Sequence, residues 1–330
     1  MEEWMISADI TLRDIYRARG RIAPIVRRTP LILSPWLTEQ AGYPVYLKLE
    51  NLQETGSFKI RGAANKLSGL PEEARRHGVI TVSSGNHGRA LAYVARRFGV
   101  RAVVCLSEAV PGNKREGIRR LGGEVVVRGR TYDEAAEHAL LLQEKLGLEM
   151  VYPFDDPLVI AGQGTIGLEL LEELPELQAA VVPLSGGGLL GGIALALKSA
   201  DPRIRVIGVS MERGPAMVES LRAGRVVDIV EEPTLADALA GGISPNRHTF
   251  DLVCRTIDET VLVSEEEIAE AMAFALEKHH LVVEGGGAVG IAALLSGKLR
   301  GLGGPAAVVV SGGNVDLPTL LKIADECRRE

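Results

Sequence analysis

Short, continuous apolar runs alternate with helical patterns through most of this 330-residue chain. Runs at 79–83, 102–106 and 125–127 precede helix-like stretches at 86–98, 113–121 and 131–146, and the run at 150–152 closes this series. A second series follows, with a helix over about 159–174, strands at 180–184 and 206–209, a helix from Leu189, another from Ser264 and a last strong strand at 306–310. Thr131 with Glu134, and Ser264 with Glu267, supply capping-box pairs for two of these helices. A strand with one wet face alternates apolar and polar residues. These runs do not, which is the signature of parallel strands buried on both faces. Strand–helix alternation of this kind builds an open α/β sheet whose ligands lie beyond the carboxyl ends of its strands.

A chain of this length exceeds one compact core, so two lobes are expected. Its 46% hydrophobic and 24% charged residues are those of an ordinary globular protein. A net charge of −6 with no long basic run argues against a nucleic-acid partner or an anionic membrane surface. Cys105, Cys254 and Cys327 are too scattered for a disulfide framework or a zinc site, which points to a reducing cytoplasm. The start, Met1-Glu2-Glu3-Trp4, has neither the basic nor the apolar region of a signal peptide. No apolar stretch reaches the ~20 residues that span a bilayer. The expectation is a soluble cytoplasmic protein.

Four motifs sit at or just beyond strand ends. The first is Gly56-Ser57-Phe58-Lys59-Ile60-Arg61-Gly62-Ala63, after the run Val45 to Glu50 and the turn Asn51 to Thr55. It puts Lys59 at a helix start, where the macrodipole disfavours a cation. The mismatch vanishes if the amine is covalently joined to a carbonyl cofactor, a standard use of a desolvated lysine. The second is Ser83-Ser84-Gly85-Asn86-His87-Gly88, a run of donors at a helix start that suits an anion. The third, Ser185-Gly186-Gly187-Gly188-Leu189, lets successive backbone N–H groups converge on a phosphate. Gly186, Gly188 and Gly191 also satisfy the dinucleotide fingerprint, with Glu212 after the next strand, so an NAD-binding oxidoreductase is the reading from a different class. The fourth is Ser311-Gly312-Gly313-Asn314. Lys59 and Ser311 have no part in a dinucleotide site.

In their order these motifs resemble the pyridoxal-phosphate enzymes of the tryptophan-synthase-β fold (fold type II), and specifically the serine/threonine dehydratase branch. The likeness runs from about Ile22 to Leu321. It implies two open twisted α/β lobes with the cofactor between them: a small lobe over 53–151, and a large one from 1–52 and 152–330. It also implies a homodimer and no room for a C-terminal regulatory domain. Carried over residue by residue, Lys59 holds pyridoxal 5'-phosphate and moves the α-proton, beside Phe58. Ser185, Gly186, Gly187, Gly188 and Leu189 hold the phosphate, the Ser185 hydroxyl adding a donor. Asn86 bonds the phenolic oxygen, Ser311 faces the pyridine nitrogen, and Glu284 lies near the ring. Ser83, Ser84, Gly85, Asn86 and His87 hold the substrate carboxylate, His87 through its backbone rather than its ring. Asp237 matches a segment beside the substrate in a structural role.

The activity implied is dehydration and deamination of a β-hydroxy amino acid, L-threonine or L-serine by default, to a 2-oxo acid and ammonia. Two relatives of that reading stay open. Ser84 is the second base of serine racemase, but Ser210 replaces the first carboxylate of that branch's cation site and is a poor ligand for a hard cation. No metal is therefore expected. Segments 209–217 and 282–290 resemble the dehydratase-like enzymes of hydroxyectoine degradation.

Overall fold

A computed structural model describes residues 10–230, 232–243 and 248–327. The Met1–Trp4 segment lies outside the described residues. Two sheets organise the chain. The larger has six strands in the order β1 (Leu31–Leu33), β2 (Val45–Leu49), β10 (Ala306–Val310), β7 (Ala179–Pro183), β8 (Arg205–Met211) and β9 (Glu259–Val263). The smaller orders β5 (Glu124–Val127), β4 (Ala102–Leu106), β3 (Val79–Val82) and β6 (Glu149–Met150). Every pairing is parallel except β1 with β2.

The unbroken apolar runs have the expected cause. Along β10, Ala306, Val308 and Val310 join a core with the Glu265–His279 and Gly285–Leu295 helices, while Ala307 and Val309 join a second core with the Pro157–Glu173 and Gly188–Ala200 helices. Successive side chains point to opposite faces, so a strand covered on both sides must be apolar throughout. In the small sheet Val79 and Ala102 face the Lys59–Gly69 and Asn86–Phe98 helices, and Ile80 and Val103 face the Tyr132–Leu146 helix.

The helix that begins at Lys59 is clamped from two directions. It crosses the Pro157–Glu173 helix at glycines, where a Cβ on Gly162 would sit 2.6 Å from the Arg61 carbonyl oxygen and one on Gly62 2.5 Å from Gln163 Nε2. Arg61, fully buried two residues beyond Lys59, grips Glu50 with Nε and Nη2, both at 2.8 Å, and Glu169 with Nη1 at 2.6 Å and Nη2 at 2.9 Å. Lys48, also buried, pairs with Glu169 at 2.8 Å and Glu173 at 3.3 Å.

One cap departs from expectation. Ser264 and Glu267 form the full capping box. At Thr131 only half forms: its hydroxyl accepts from Glu134 N, but Glu134 Oε2 accepts from Arg130 N at 2.6 Å. No helix among the described residues is long and apolar enough to cross a membrane.

Candidate active site

Three of the four motifs leave neighbouring strands of the large sheet: Lys59 follows β2, Ser311 follows β10 and the glycine loop follows β7. The fourth, Ser83 to His87, follows β3 of the small sheet and meets them through the Asn86–Glu284 hydrogen bond. Phe58 N donates to the Ser311 carbonyl at 3.0 Å, and Ser57 bridges Gly312, so the Lys59 and Ser311 segments are pinned side by side.

Lys59 is the first residue of its helix. Its Nζ donates to the Pro153 carbonyl at 2.7 Å and lies 5.1 Å from the Phe58 ring centroid. Burial of the amine lowers its pKa to about 8, against the opposing pull of Glu284. Glu284 stands at the start of the Gly285–Leu295 helix; Asn86 Nδ2 donates to its Oε1 at 2.6 Å and Asn314 N to its Oε2 at 3.1 Å. Burial outweighs those bonds and raises its pKa to about 7. Asn86 Oδ1 in turn accepts from Asn314 Nδ2 at 2.6 Å, which leaves Asn86 one amide proton for another acceptor. His87 Nε2 is 2.9 Å from the Val151 carbonyl and so carries the proton. Burial, reinforced by the Lys59 charge, lowers its pKa to about 3, and its ring is a weak base. Ser83, Ser84 and Gly85 form the half-buried turn before it.

The glycine loop is a cradle with no room for side chains. A Cβ on Gly186 would meet the Phe154 ring at 2.6 Å, one on Gly188 the Phe154 carbonyl at 2.9 Å, and Gly187 has φ +85°. Leu189 is buried in the first turn of the helix that follows, whose leading N–H groups have no intrahelical acceptor. The Thr249 hydroxyl is buried there without a partner, its Cβ 3.1 Å from where a Gly187 side chain would start. A covalent anchor, a cluster of N–H donors and an orphaned hydroxyl suit a phosphorylated carbonyl cofactor. Ser185 departs from expectation, for its hydroxyl donates to the Leu239 carbonyl at 2.8 Å rather than into the cradle. Ser311 Oγ is buried and makes only a long contact, 3.4 Å, with the Gly286 carbonyl.

Residues 22–312 match the family model described as "Pyridoxal-phosphate dependent enzyme". The chain belongs to this family. Its cofactor is therefore pyridoxal phosphate, and the dinucleotide reading of Gly186 to Gly191 falls. Among relatives, an L-threonine ammonia-lyase of Thermotoga maritima is 48% identical over 317 residues, 96% of this chain and 79% of that one. The structure of maize serine racemase superposes with a TM-score of 0.90 at 34% identity, covering 98% of each chain. A processed threonine deaminase isoform 2 from Solanum lycopersicum gives 0.90 at 35% identity, over 97% of this chain and 88% of that one. With the family match, the identity to L-threonine ammonia-lyases makes the protein a pyridoxal-phosphate-dependent lyase acting on a small amino acid.

Two further expected residues lie apart from the lysine. Asp237 Oδ2 pairs with Lys114 Nζ at 3.1 Å. Ser210 is buried with its hydroxyl 3.5 Å from the Met211 sulfur, while Glu212 pairs with Lys298 at 3.6 Å. Sequence reasoning passed over Asn314, Thr249 and Arg61. Asn314 was within reach, because it closes the Ser311 motif at a strand's carboxyl end. Thr249 lies on a helix far along the chain, and only the fold brings it to the glycine loop.

Proposed function

We propose that this enzyme converts L-threonine to 2-oxobutanoate and ammonia, with L-serine as a second substrate, in a cleft between a 53–151 lobe and a lobe made of 1–52 and 152–330. The carrying observation is Lys59 itself: an enclosed amine at a helix start, held by one carbonyl, with its pKa lowered to about 8. Bound pyridoxal phosphate supplies an electron sink for the pair released from the substrate's Cα–H bond.

Lys59 Nζ would hold the cofactor at its carbonyl carbon. The same amine is the group placed to take the substrate's α-proton; its lowered pKa keeps a usable neutral fraction near neutrality. The N–H groups of Ser185 to Leu189 and the Thr249 hydroxyl hold the phosphate dianion at the dipole-favoured end of the helix. The remaining amide proton of Asn86 would be available to the cofactor's phenolic oxygen, while Glu284 holds Asn86 at 2.6 Å. Ser311 would offer the cofactor's ring nitrogen a hydroxyl, which does not force its protonation as a carboxylate would and so would favour loss of the β-hydroxyl over transamination. Ser83, Ser84, Gly85, Asn86 and the backbone of His87 orient the α-carboxylate. One water leaves with the β-hydroxyl and one enters at hydrolysis, so threonine is divided between oxo acid and ammonia.

The scattered cysteines, Cys105, Cys254 and Cys327, suit a reducing cytoplasm, and exposed Leu317 and Leu321, one turn apart, suit the surface of a homodimer. The test is product analysis with both substrates. Rapid 2-oxo acid release from L-threonine supports the proposal. D-amino acid without oxo acid, lost in Ser84→Ala, would replace it with a racemase.

A further inference from the structure

Arg89 is a half-buried cation. Its Nε is buried without a hydrogen bond, and its guanidinium has neither an ion pair nor a hydrogen bond among the described residues. The more deeply buried cations are paired: Arg61 holds Glu50 and Glu169, Lys48 holds Glu169 and Glu173, and Lys66 holds Glu149 and Asp156. A donor buried without a partner costs free energy, so the unpaired Nε of this half-buried guanidinium, with its Nη atoms open, invites an anionic ligand.

Its position says where that ligand lies. Arg89 is three residues beyond Asn86 on the Asn86–Phe98 helix, and residues so spaced share a face. Asn86 turns that face to Glu284 at 2.6 Å. Arg89 Nη1 rests on the Gly112–Arg120 helix at Gly117, where a Cβ would stand 2.9 Å away. Lys114, one turn before Gly117, pairs with Asp237 at 3.1 Å. Arg89 thus lies on the helix face that carries the Asn86–Glu284 contact and packs against the helix that carries Lys114. Burial lowers its pKa, and the charge of Glu284 opposes that.

We propose that Arg89 is a specificity residue that binds a second carboxylate, carried on the β-carbon of a β-hydroxy amino acid. This rests on the deaminase reading above. A carboxylate meets the planar guanidinium in two parallel charge-assisted hydrogen bonds, whereas the methyl group of threonine leaves it unpaired. The reaction balances without an oxidant: the Cα–H and Cβ–O bonds break, water departs, and one water returns as the C–N bond is hydrolysed. A hydroxy amino diacid becomes an oxo diacid and ammonia.

The experiment compares the wild-type holoenzyme with Arg89→Gln and Arg89→Lys on L-threonine and L-threo-3-hydroxyaspartate, with cofactor content and melting temperature as controls. In parallel, L-aspartate and L-alanine are titrated against the cofactor's absorbance. The wild type should show the lower KM for the diacid. Arg89→Gln should raise that KM about 10- to 100-fold while moving the threonine KM less than about threefold, the span of a charge-assisted hydrogen bond. Arg89→Lys should recover part of the loss. An equal loss on both substrates, or an unchanged diacid KM, overturns the proposal. If the wild type deaminates neither, the titration decides. Weakened L-aspartate but unchanged L-alanine binding in Arg89→Gln upholds Arg89 and rejects only the deaminase reading; equal changes reject Arg89.

Discussion

Replacing Arg61 with methionine separates the scaffold that holds Lys59 from the chemistry Lys59 performs. The guanidinium donates two bonds to Glu50, two to Glu169 and one to Thr165 at 3.0 Å. Methionine fills much of the volume and makes none of them. Glu169 still has Lys48 at 2.8 Å. Glu50, fully buried, keeps only the Thr29 hydroxyl and the Gln53 amide, the latter at 3.3 Å. Breaking a buried pair by removing one partner costs about 3–5 kcal/mol, and the upper part of that range is expected because two carboxylates share Arg61. In the wild type burial pushes Glu50 up, and Arg61 together with Thr29 and Lys48 more than offsets it, so the net pKa is lowered. That carboxylate stabilises the fold above its unfolded pKa and stops doing so as pH falls through the lowered value. In the variant only Thr29 and Lys48 still oppose burial, so the pKa rises and protonation relieves the penalty. Urea unfolding of both proteins should therefore show a gap of about 4 kcal/mol near pH 8 that narrows toward about pH 5. A gap below about 1 kcal/mol, or one that does not change with pH, would refute this reasoning.

Two more perturbations follow from the site. Glu284, raised to about 7 by burial, binds a proton in the fold that the unfolded chain releases above its ordinary value. The cofactor-free protein should lose about 3 kcal/mol between about pH 4.5 and 7 through this group alone, and Glu284→Gln should flatten that slope; an unchanged slope would assign it elsewhere. Gly186→Ala drives a methyl into the Phe154 ring at 2.6 Å and should cost about 1–3 kcal/mol as overpacking, with weaker cofactor retention on dialysis. Retention equal to wild type would show that the loop is not the phosphate cradle.

Much of this architecture was legible because it obeys local rules. A strand such as β10 is apolar on both faces, so its run is unbroken, and the helix after it begins where the turn chemistry changes. What escaped notice depends on partners distant in sequence. The three-residue strand β1 is an antiparallel edge with a mixed burial pattern, and β9 has both wet and buried positions. The Gly285–Leu295 helix opens with three glycines, which propensity reads as loop, yet it is buried almost throughout. Arg61 looks like an ordinary helix charge until Glu50 and Glu169 arrive from other elements. Ser185 was misjudged for the same reason: its hydroxyl finds the Leu239 carbonyl, more than fifty residues away in sequence. Lys59 was visible because a cation at a helix start contradicts the local rule. A violated local preference marked function; a satisfied one hid structure.

The most direct test of the account is 2-oxo acid release from L-threonine by the cofactor-loaded wild type and by Lys59→Ala, with the absorption of the bound cofactor recorded for both. The wild type should release oxo acid and carry the absorption of a lysine-bound cofactor. Lys59→Ala should lose that band and at least about a thousandfold of the rate, as expected when a covalent anchor and the proton-transfer base are removed together. Oxo acid release that survives in Lys59→Ala, or a wild-type cofactor that is not lysine-bound, would contradict the assignment of Lys59.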